Sequence, residues 1–486
     1  MIKWNIAIGL EVHIQLSTES KIFSKAKNQY GNTPNTQVSG IDLGLPGTLP
    51  ILNKRAIEFA IRLGLAINAK IPTYFLFVRK NYFYPDLSKG YQISQNKIPI
   101  LMGGYIPIAI NDSKKYIKKI FIHHAHLEED AGKLVHTEKN AQIDFNRSGN
   151  PLLEVVTKPN ITSAKEAISF LKELHLLVRY LKISHANMEK GEFRCDVNIS
   201  VSSLGSSMLG TKTECKNLNS FKFIEKAIIF ESKRQIALLE SGKFVIQETR
   251  LFDSKKNITK KMRIKEHEHD YRYFPEPDLL PVKVTYSYIK NIHLLLPELP
   301  NSIRNRLKSE HYLDNKEIEM FLENPQLLNF YEKLVFSVGL ENSQLASNWI
   351  TSILLSKLKK YKLSVINSPI KIHHLSNIIF KIKKKLLSNK TAKIVFNNLW
   401  ITNGKSHIDD IIYKKKLLQI NDINIIEKTV NEVIDNFPKE IIKYHNGKTK
   451  ILDFLLGKII QKNKKANPKK IKEILIKKLF LKKNAN

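Results

Sequence analysis

The sequence predicts an α+β protein in which a large domain, built on a mixed or antiparallel sheet, precedes two all-helical domains. Short runs of alternating apolar and polar residues extend to about residue 286, and 15 of the 19 glycines lie before residue 300. Beyond that point apolar residues recur at helical spacing. The segment PELPNS, residues 297–302, marks the change. We predict a sheet domain over residues 1–294, a helical linker domain over 295–404 and a lysine-rich helical tail domain over 405–486.

Size and composition limit the class of protein. A chain of 486 residues, 42% of them hydrophobic, is long enough for roughly two to four domains and is no disordered basic tail. It has neither a charged leader before an apolar core nor a run of about 18 apolar residues, so we expect an unprocessed cytoplasmic protein without membrane contact. The two cysteines, Cys195 and Cys215, lack CxxC spacing, which favours a reducing compartment and no thiolate zinc site.

The net charge of +34 is concentrated at the C-terminal end. Residues 351–486 contain 31 lysines, no arginine and nine acids, a net charge of +22. Such a surface neutralises nucleic-acid phosphates. An A+T-rich coding sequence would also produce a chain rich in Lys, Ile and Asn, and for the magnitude of the charge the two explanations have comparable weight. The position of the charge favours nucleic-acid binding by the tail.

Three alternating segments place polar residues on strand faces. In residues 5–16 every even position is apolar, so Glu11 and His13 share the other face, about 7 Å apart along the strand. Residues 193–201 alternate in the same way and direct Asp196 away from the apolar side. A loop then leads to residues 211–217, where Lys216 belongs to a facing polar row and Asn217 follows it.

The run His126–Asp130 contains three consecutive acids, Glu128, Glu129 and Asp130. Adjacent carboxylates repel one another unless a cation holds them, so acids pooled from several strands suggest a metal ion with a phosphate ligand. For any single strand, a solvated polar face remains the commoner explanation. The mixture of acid, amide and base on these faces favours the metal site collectively.

Loops and one further strand supply other polar groups. Arg147 precedes a turn at residues 148–151, and Glu154 stands inside an apolar strand, where an acid is costly to bury unless it is paired or metal-bound. Arg79 and Lys80 open a segment that mixes cations with aromatic residues, as nucleotide-binding surfaces do, although a plain amphipathic strand edge is about as common. Neither a Walker loop nor GxGxxG occurs, so any nucleotide is bound outside those schemes.

Eight segments resemble the B subunit of the aspartyl/glutamyl-tRNA amidotransferase, in the order found in that family. The lysine-rich end, which includes residues 446–468, is similar to the family's tRNA-binding tail, so the resemblance covers essentially the whole chain. The eight segments are GLEVHIQL (9–16), LGLPGTLP (43–50), RKNYFYPDLSKGYQISQ (79–95), HLEEDAGK (126–133), DFNRSGNPLLEVV (144–156), RCDVNIS (194–200), ECKNLNSF (214–221) and HDYRYFPEPDLLP (269–281).

The resemblance implies a two-step reaction on misacylated tRNA. ATP phosphorylates the side-chain carboxylate of Glu on the glutamine tRNA, or of Asp on the asparagine tRNA. Ammonia released by the glutaminase, the A subunit of the family's complex, then displaces the phosphate, and a C subunit belongs to the same complex. Because a carboxylate is a poor acyl donor, the acyl phosphate supplies the leaving group, and magnesium neutralises charge on the transferred phosphoryl group.

The resemblance also assigns residues. Glu11, His13 and Glu129 would hold magnesium, with Glu128 and Asp196 as neighbouring catalytic candidates and Asp130 as a structural residue. Contacts to ATP or substrate would come from a second set of residues, of which Arg79 and Lys80 would lie near the ammonia entry. These are Arg147, Lys216, Asn217, Arg79 and Lys80.

One departure from the family concerns zinc. Many members carry paired cysteines at the positions that hold Ser24, Ala26, Ser39 and Asp42 in this chain, so we predict no zinc. The inserted domain of the related archaeal protein is not found, which favours the bacterial or organellar type.

Two other functions stay open at this stage. A non-catalytic tRNA-binding scaffold would bind tRNA with a steep salt dependence and form no phosphorylated intermediate. A small-molecule phosphotransferase would not need the tail.

The last helix of the tail is predicted to begin at the cap formed by Asn467 and Pro468. It has an apolar stripe, and lysines cover much of its remaining surface.

Overall fold

The computed structural model confirms the α+β class and the helical C-terminal region. It forms two compact units, Met1–Pro300 and Asn301–Asn486, and the finer boundaries at residues 294 and 404 remain predictions. None of the helices in the described ranges is long and apolar enough to span a bilayer. The structure describes residues 4–111, 115–137, 140–264, 268–419, 422–463 and 466–483.

In its described residues, the first unit contains the strands, five α-helices and a short 3-10 helix, Glu268–Tyr271. The strands are β1 (Trp4–Gln15), β2 (Tyr74–Phe75), β3 (Val78–Asn81), β4 (Tyr91–Ser94), β5 (Leu101–Met102), β6 (Tyr105–Asn111), β7 (Lys115–Glu129), β8 (Lys133–His136), β9 (Ala141–Asp144), β10 (Pro151–Thr157), β11 (Phe193–Ser203), β12 (Thr213–Lys216), β13 (Glu248–Asp253), β14 (Ile258–Ile264), β15 (Phe274–Pro275) and β16 (Val282–Lys283). The helices are α1 (Gly40–Leu43), α2 (Lys54–Ala66), α3 (Ala164–Tyr180), α4 (Phe221–Glu240) and α5 (Tyr286–Leu294).

A nine-stranded sheet organises this unit. Its order is β14-β13-β12-β11-β1-β10-β7-β5, with β6 also paired to β7. The pair β12–β13 is parallel, whereas β1 is antiparallel to both β10 and β11, so the sheet is mixed. Three small sheets, β15-β3-β4, β16-β2 and β8-β9, complete the unit.

The alternation of β1 separates the two faces of the sheet. Ile8, Leu10, Val12 and Ile14 are fully buried in the main hydrophobic core, which also includes residues of helices α2, α3 and α4. The alternate residues of β1, among them Glu11 and His13, are only partly buried. The sheet therefore has one face against the core and one open polar face.

The second unit is helical in its described part, and its last four helices share a hydrophobic core of their own that includes Ile426, Leu455 and Leu475. A π-helix, Trp349–Leu354, links α9 to α10. The helices are α6 (Pro300–Ser309), α7 (Asn315–Glu323), α8 (Pro325–Val338), α9 (Ser343–Asn348), α10 (Leu355–Tyr361), α11 (Ile372–Lys383), α12 (Asn389–Ile401), α13 (Ile408–Lys414), α14 (Ile423–Asn436), α15 (Pro438–His445), α16 (Ile451–Lys462) and α17 (Pro468–Lys483).

A buried carboxylate on α4 fastens that helix to the sheet. Glu231 is inaccessible to solvent and accepts hydrogen bonds from Thr213 Oγ1 and Thr259 Oγ1, both at 2.8 Å, on β12 and β14. Arg234 donates to it from the next turn of the helix at 2.6 and 2.9 Å, and Arg250 Nε lies 3.4 Å away. A buried charge with this many partners is stable only while all of them remain.

We predict that Glu231→Gln lowers the free energy of unfolding by about 3 kcal/mol, because it leaves two largely buried arginines without this counter-charge. The measurement is the shift of the thermal unfolding midpoint. The control is Arg55→Met, which removes a 53% exposed partner of Glu58 on α2 and should cost less than about 1 kcal/mol. Equal shifts in the two variants would show that the Glu231 contacts stabilise the fold no more than a surface pair does.

The same residue predicts a pH dependence. Burial raises the pKa of Glu231, but hydrogen bonds and charge from Arg234, with Gln235 and Thr259, lower it below the ordinary value of 4.5. A carboxyl whose folded pKa is lowered stabilises the fold above its unfolded pKa and loses this effect as pH falls through the folded value. The midpoint difference between wild type and Glu231→Gln should therefore be constant from about pH 6 to 8 and shrink below about pH 4.5. A gap that widened as pH fell below about 4.5 would contradict the assignment.

Candidate metal and substrate site

Strand register brings acids and bases from four strands together on the open face of the sheet. His13 is the neighbour of Glu154 on one side and of Arg194 on the other, and Glu154 is in turn the neighbour of His126. Glu11 lies beside Asp196. Cross-strand neighbours point to the same face, so these residues, distant in sequence, form one polar surface.

Three of these side chains converge closely enough to bind one metal ion. His13 Nε2 lies 3.2 Å from Glu154 Oε2 and 3.6 Å from Glu128 Oε1. Within the described ranges, this is the set of three His, Cys or acid ligand atoms that all lie within 4.8 Å of one another. His126 Nε2 adjoins the same two acids at 3.4 and 3.5 Å. We call His13, Glu128 and Glu154 the metal-ligand cluster.

The electrostatics of the metal-ligand cluster require positive charge. Burial lowers the pKa of His13, but Glu154 and Glu128 outweigh it and raise that pKa to about 9. The pKa of His126 is also raised, against the effect of burial, mainly by Glu154 and Glu128. Burial raises the pKa of Glu154, but His13, His126 and Lys80 outweigh it and lower that pKa. Burial and the charge of Glu154 raise the pKa of Glu128, but His126 and Lys80 outweigh them and lower it. The imidazoles and the carboxylates thus stabilise one another's charged forms at this point.

A divalent cation fits the same residues. Two carboxylate oxygens and one imidazole nitrogen are a ligand set that suits Mg²⁺ or Mn²⁺. The buried Nδ1 of His126 has no hydrogen-bond partner in the described structure, so the polar network around the cluster is incomplete as it stands. Replacing proton charge by metal charge would leave the carboxylates compensated.

Of the three predicted metal ligands, His13 is in the metal-ligand cluster, whereas Glu11 and Glu129 are not. Glu128, expected to be a neighbouring catalytic residue, is in the cluster. Glu129 is buried, and both its oxygens contact Lys89 Nζ, at 2.5 and 2.6 Å, while Ile93 N donates to it at 2.8 Å. Glu11 accepts a hydrogen bond from Asn198 Nδ2 at 2.8 Å. Lys89, which pairs with Glu129, lies in a distant segment of the chain, so no local sequence pattern predicts this ion pair.

Glu154 replaces these residues in the cluster. From the sequence it is only a costly acid in an apolar strand. The cost of burying an acid is the sequence signal that Glu154 has a partner. Leu153 and Val155 point to the core, so Glu154 between them points to the open face, toward His13. His126 lies two residues from Glu128 on the same strand, β7, so alternation places the two on one face, but its other partner, Glu154, comes from the neighbouring strand β10.

Lys216 and Asp196 form a second charged pair on the open face. Lys216 Nζ lies 2.7 Å from Asp196 Oδ2 and 3.8 Å from Glu214 Oε1. Burial lowers the pKa of Lys216, but these acids outweigh it and raise that pKa above its ordinary value. Asn217 has a positive φ of 67° and donates to Phe252 O at 3.2 Å, so its side chain stabilises the local backbone.

The predicted arginines are largely occupied by contacts within the chain. Arg147 donates to the carbonyl oxygens of Ala131 and Gly132 at 2.9 and 2.5 Å. Arg79 binds Glu276 with two hydrogen bonds, at 2.8 and 2.9 Å, and reaches Asp278 at 3.2 Å.

Lys80 and Asp130 have different surroundings. The ammonium of Lys80 lies 4.9 Å from the ring centroid of Tyr271 and 5.9 Å from that of Tyr82. Asp130, expected to be structural, pairs with Arg194 at 2.8 Å and Arg147 at 3.6 Å.

The positions compared with zinc cysteines hold a buried ion pair. Lys21 Nζ lies 3.3 Å from Asp42 Oδ2, and both side chains are at most 2% exposed. Ser24 Oγ and the Ser39 backbone N–H donate to the same oxygen at 3.1 and 2.9 Å. A tethered ammonium therefore supplies the positive charge in this loop. Ala26 contributes its backbone N–H, which donates to Ser24 Oγ at 3.3 Å. The absence of zinc remains a prediction.

Comparison with protein families identifies the class of protein that carries this sheet and site. Residues 6–290 match the model of the GatB/GatE catalytic domain, and residues 329–479 match the model of the GatB domain. The chain therefore belongs to the GatB family, and the predicted membership of an amidotransferase-subunit family is confirmed.

Three relatives share the name of the B subunit of aspartyl/glutamyl-tRNA(Asn/Gln) amidotransferase. The protein of Coxiella burnetii is 46% identical over 480 residues, which cover 98% of this chain and 100% of the relative. That of Nitrosococcus oceani is 45% identical with the same coverage. That of Alkalilimnicola ehrlichii is 45% identical over 98% of this chain and 99% of its own. Lys464 and Lys465, within the tail segment compared above, lie outside the described residues.

We predict that Glu154→Gln weakens Mn²⁺ binding by at least about tenfold, because it removes a charged ligand from the metal-ligand cluster. Titration calorimetry of the purified chain with Mn²⁺ measures the affinity. Glu129→Gln is the matched comparison and should change the affinity much less, since Lys89 holds that carboxylate. The reverse order of effects would return the metal to the set Glu11, His13 and Glu129.

Proposed function

We propose that this chain is the kinase and transamidase component of a tRNA-dependent amidotransferase. It would phosphorylate the side-chain carboxylate of Glu on the glutamine tRNA, Asp on the asparagine tRNA, or both. The observation that carries the proposal is the metal-ligand cluster on an open polar face, a few strands from the Lys216–Asp196 pair, in a chain of the GatB family. We propose further that it works in the cytoplasm.

The reaction balances in two steps. A carboxylate oxygen of the substrate attacks the γ-phosphorus of ATP, the bond to the β-phosphate oxygen breaks, and ADP leaves. Ammonia then attacks the carbonyl carbon of the acyl phosphate, inorganic phosphate leaves, and the nitrogen loses a proton to give the amide. When bound, Mg²⁺ would neutralise charge on the phosphates.

The chain's own residues would orient the reactants. His13, Glu128 and Glu154 would hold the magnesium, and Glu11 and Asp196 would line the same face. Lys216 is our candidate for a phosphate contact, because its cation lies on the open face and is about one-third exposed. The side chains of Arg147 and Asn217 donate to backbone carbonyl oxygens, so these residues would shape the backbone around the bound substrate. Arg79 and Lys80 stay proposed near the ammonia entry.

The partners follow from the same proposal. Ammonia would come from the glutaminase, which is the A subunit, and the C subunit would complete a heterotrimer. The misacylated tRNA would contact the tail, where Ile471 and Leu475 of α17 face the core while Lys472 and Lys477 are exposed. Phosphate contacts by such lysines would make tRNA affinity fall steeply with salt.

The function is tested by the ATPase activity of the reconstituted complex. We expect ATP hydrolysis that depends on misacylated tRNA, and a fall in kcat of about 100- to 1000-fold in His13→Ala. Arg55→Met, a change on the exposed surface of α2, is the control and should leave the rate unchanged. A rate of ATP hydrolysis that does not depend on misacylated tRNA would indicate a small-molecule phosphotransferase. Binding of tRNA with no phosphorylated intermediate would point to a scaffold.

A further inference from the structure

The substrate carboxylate faces an electrostatic obstacle on the open face. The proposed function requires this anion to approach a surface that already carries Glu11, Glu128, Glu154 and Asp196, with Asp130 beside it. These carboxylates repel another carboxylate that approaches them. The face therefore needs a cation that is not fully used by the protein itself.

Most cations near the face are engaged. Lys89 contacts both oxygens of Glu129, and Lys216 pairs with Asp196. Arg147 donates to two backbone carbonyls, and Arg79 makes three hydrogen bonds to two acids. Lys80 lies over two aromatic rings.

Arg194 differs from these cations. Of its five N–H donors, the described structure uses one, in the bond from Nη2 to Asp130 Oδ2 at 2.8 Å. Its Nε is buried and has no partner among the described residues. About a third of the side chain, 33%, is nevertheless exposed, so the guanidinium reaches the open face. Burying a donor without a partner is unfavourable, and an anionic ligand would remove that cost.

The position of Arg194 is equally specific. It is the cross-strand neighbour of His13, and Asp196 of the Lys216 pair lies two residues further along the same strand. Asp130 fixes the guanidinium from the side of the acidic run. A group bound to Arg194 therefore lies between the metal-ligand cluster and the proposed phosphate contact.

We infer that Arg194 binds the side-chain carboxylate of the aminoacyl group on the tRNA and positions it for phosphorylation. A planar guanidinium matches a carboxylate and binds the neutral amide product less well. Arg194 would thus distinguish substrate from product as well as overcome the repulsion. This inference rests on the proposed function and adds to it the residue that reads the carboxylate.

The test compares affinities for substrate and product tRNA in the reconstituted complex. Glu-tRNA and Gln-tRNA bearing the same glutamine tRNA body are titrated without ATP, so that all contacts outside the side chain are equal. We expect wild type to prefer Glu-tRNA, and Arg194→Lys and Arg194→Met to reduce that preference by roughly 10- to 100-fold, as expected for loss of a charged hydrogen-bonded contact. Arg194→Lys retains a cation for Asp130 and guards against a folding defect.

The controls separate this inference from the proposed function. Arg55→Met should keep the full preference. An unchanged ratio in both Arg194 variants would overturn the role of Arg194 while tRNA-dependent ATP hydrolysis by wild type still supported the function. Absence of that hydrolysis in wild type would overturn both. Equal weakening of Glu-tRNA and Gln-tRNA binding would reduce Arg194 to a structural residue and overturn the inference.

Discussion

The pairing of β1 on both of its edges is the constraint on which the rest of the first unit depends. It lies between β10 and β11, and its fully buried even residues hold it in one register. A slip of one residue would carry His13 to the core and Val12 to the open face. The hydrophobic effect on one face therefore fixes the chemistry of the other: burial of Leu10, Val12 and Ile14 is what places His13 beside Glu154 and Arg194.

The open face is governed by charge balance. Its acids come in groups, and each group has a cation: Glu129 has Lys89, Asp196 has Lys216, and Asp130 has Arg194 and Arg147. Glu128 and Glu154 contact the imidazoles of His13 and His126, and Lys80 adds positive charge near them. A neutral imidazole nitrogen is a metal ligand, whereas ammonium and guanidinium groups offer no ligand atom, so this is where a divalent cation can take the place of proton charge.

Sequence reasoning predicted the faces of strands better than their partners. Alternation placed Glu11 and His13 on the polar face of one strand and Asp196 on the polar face of another, and the register of β1 with β11 brings the two faces together. The same alternation applied to Glu154 would have oriented it correctly. The pairing of Glu129 with Lys89, and the meeting of His13 with Glu128, depend on which strands become neighbours and on loops between them. Local periodicity contains no information on that choice, so two of the three assumed ligands lie outside the cluster.

The buried pair of Lys21 and Asp42 has a consequence for the conditions under which the protein keeps its shape. The positive charge that gathers Ser24, Ser39 and Asp42 is covalently part of the chain. Chelators cannot remove it and oxidants of thiols cannot alter it. The charge of this contact therefore does not vary with metal supply or thiol redox state, and a substitution at Lys21 or Asp42 would remove the ion pair.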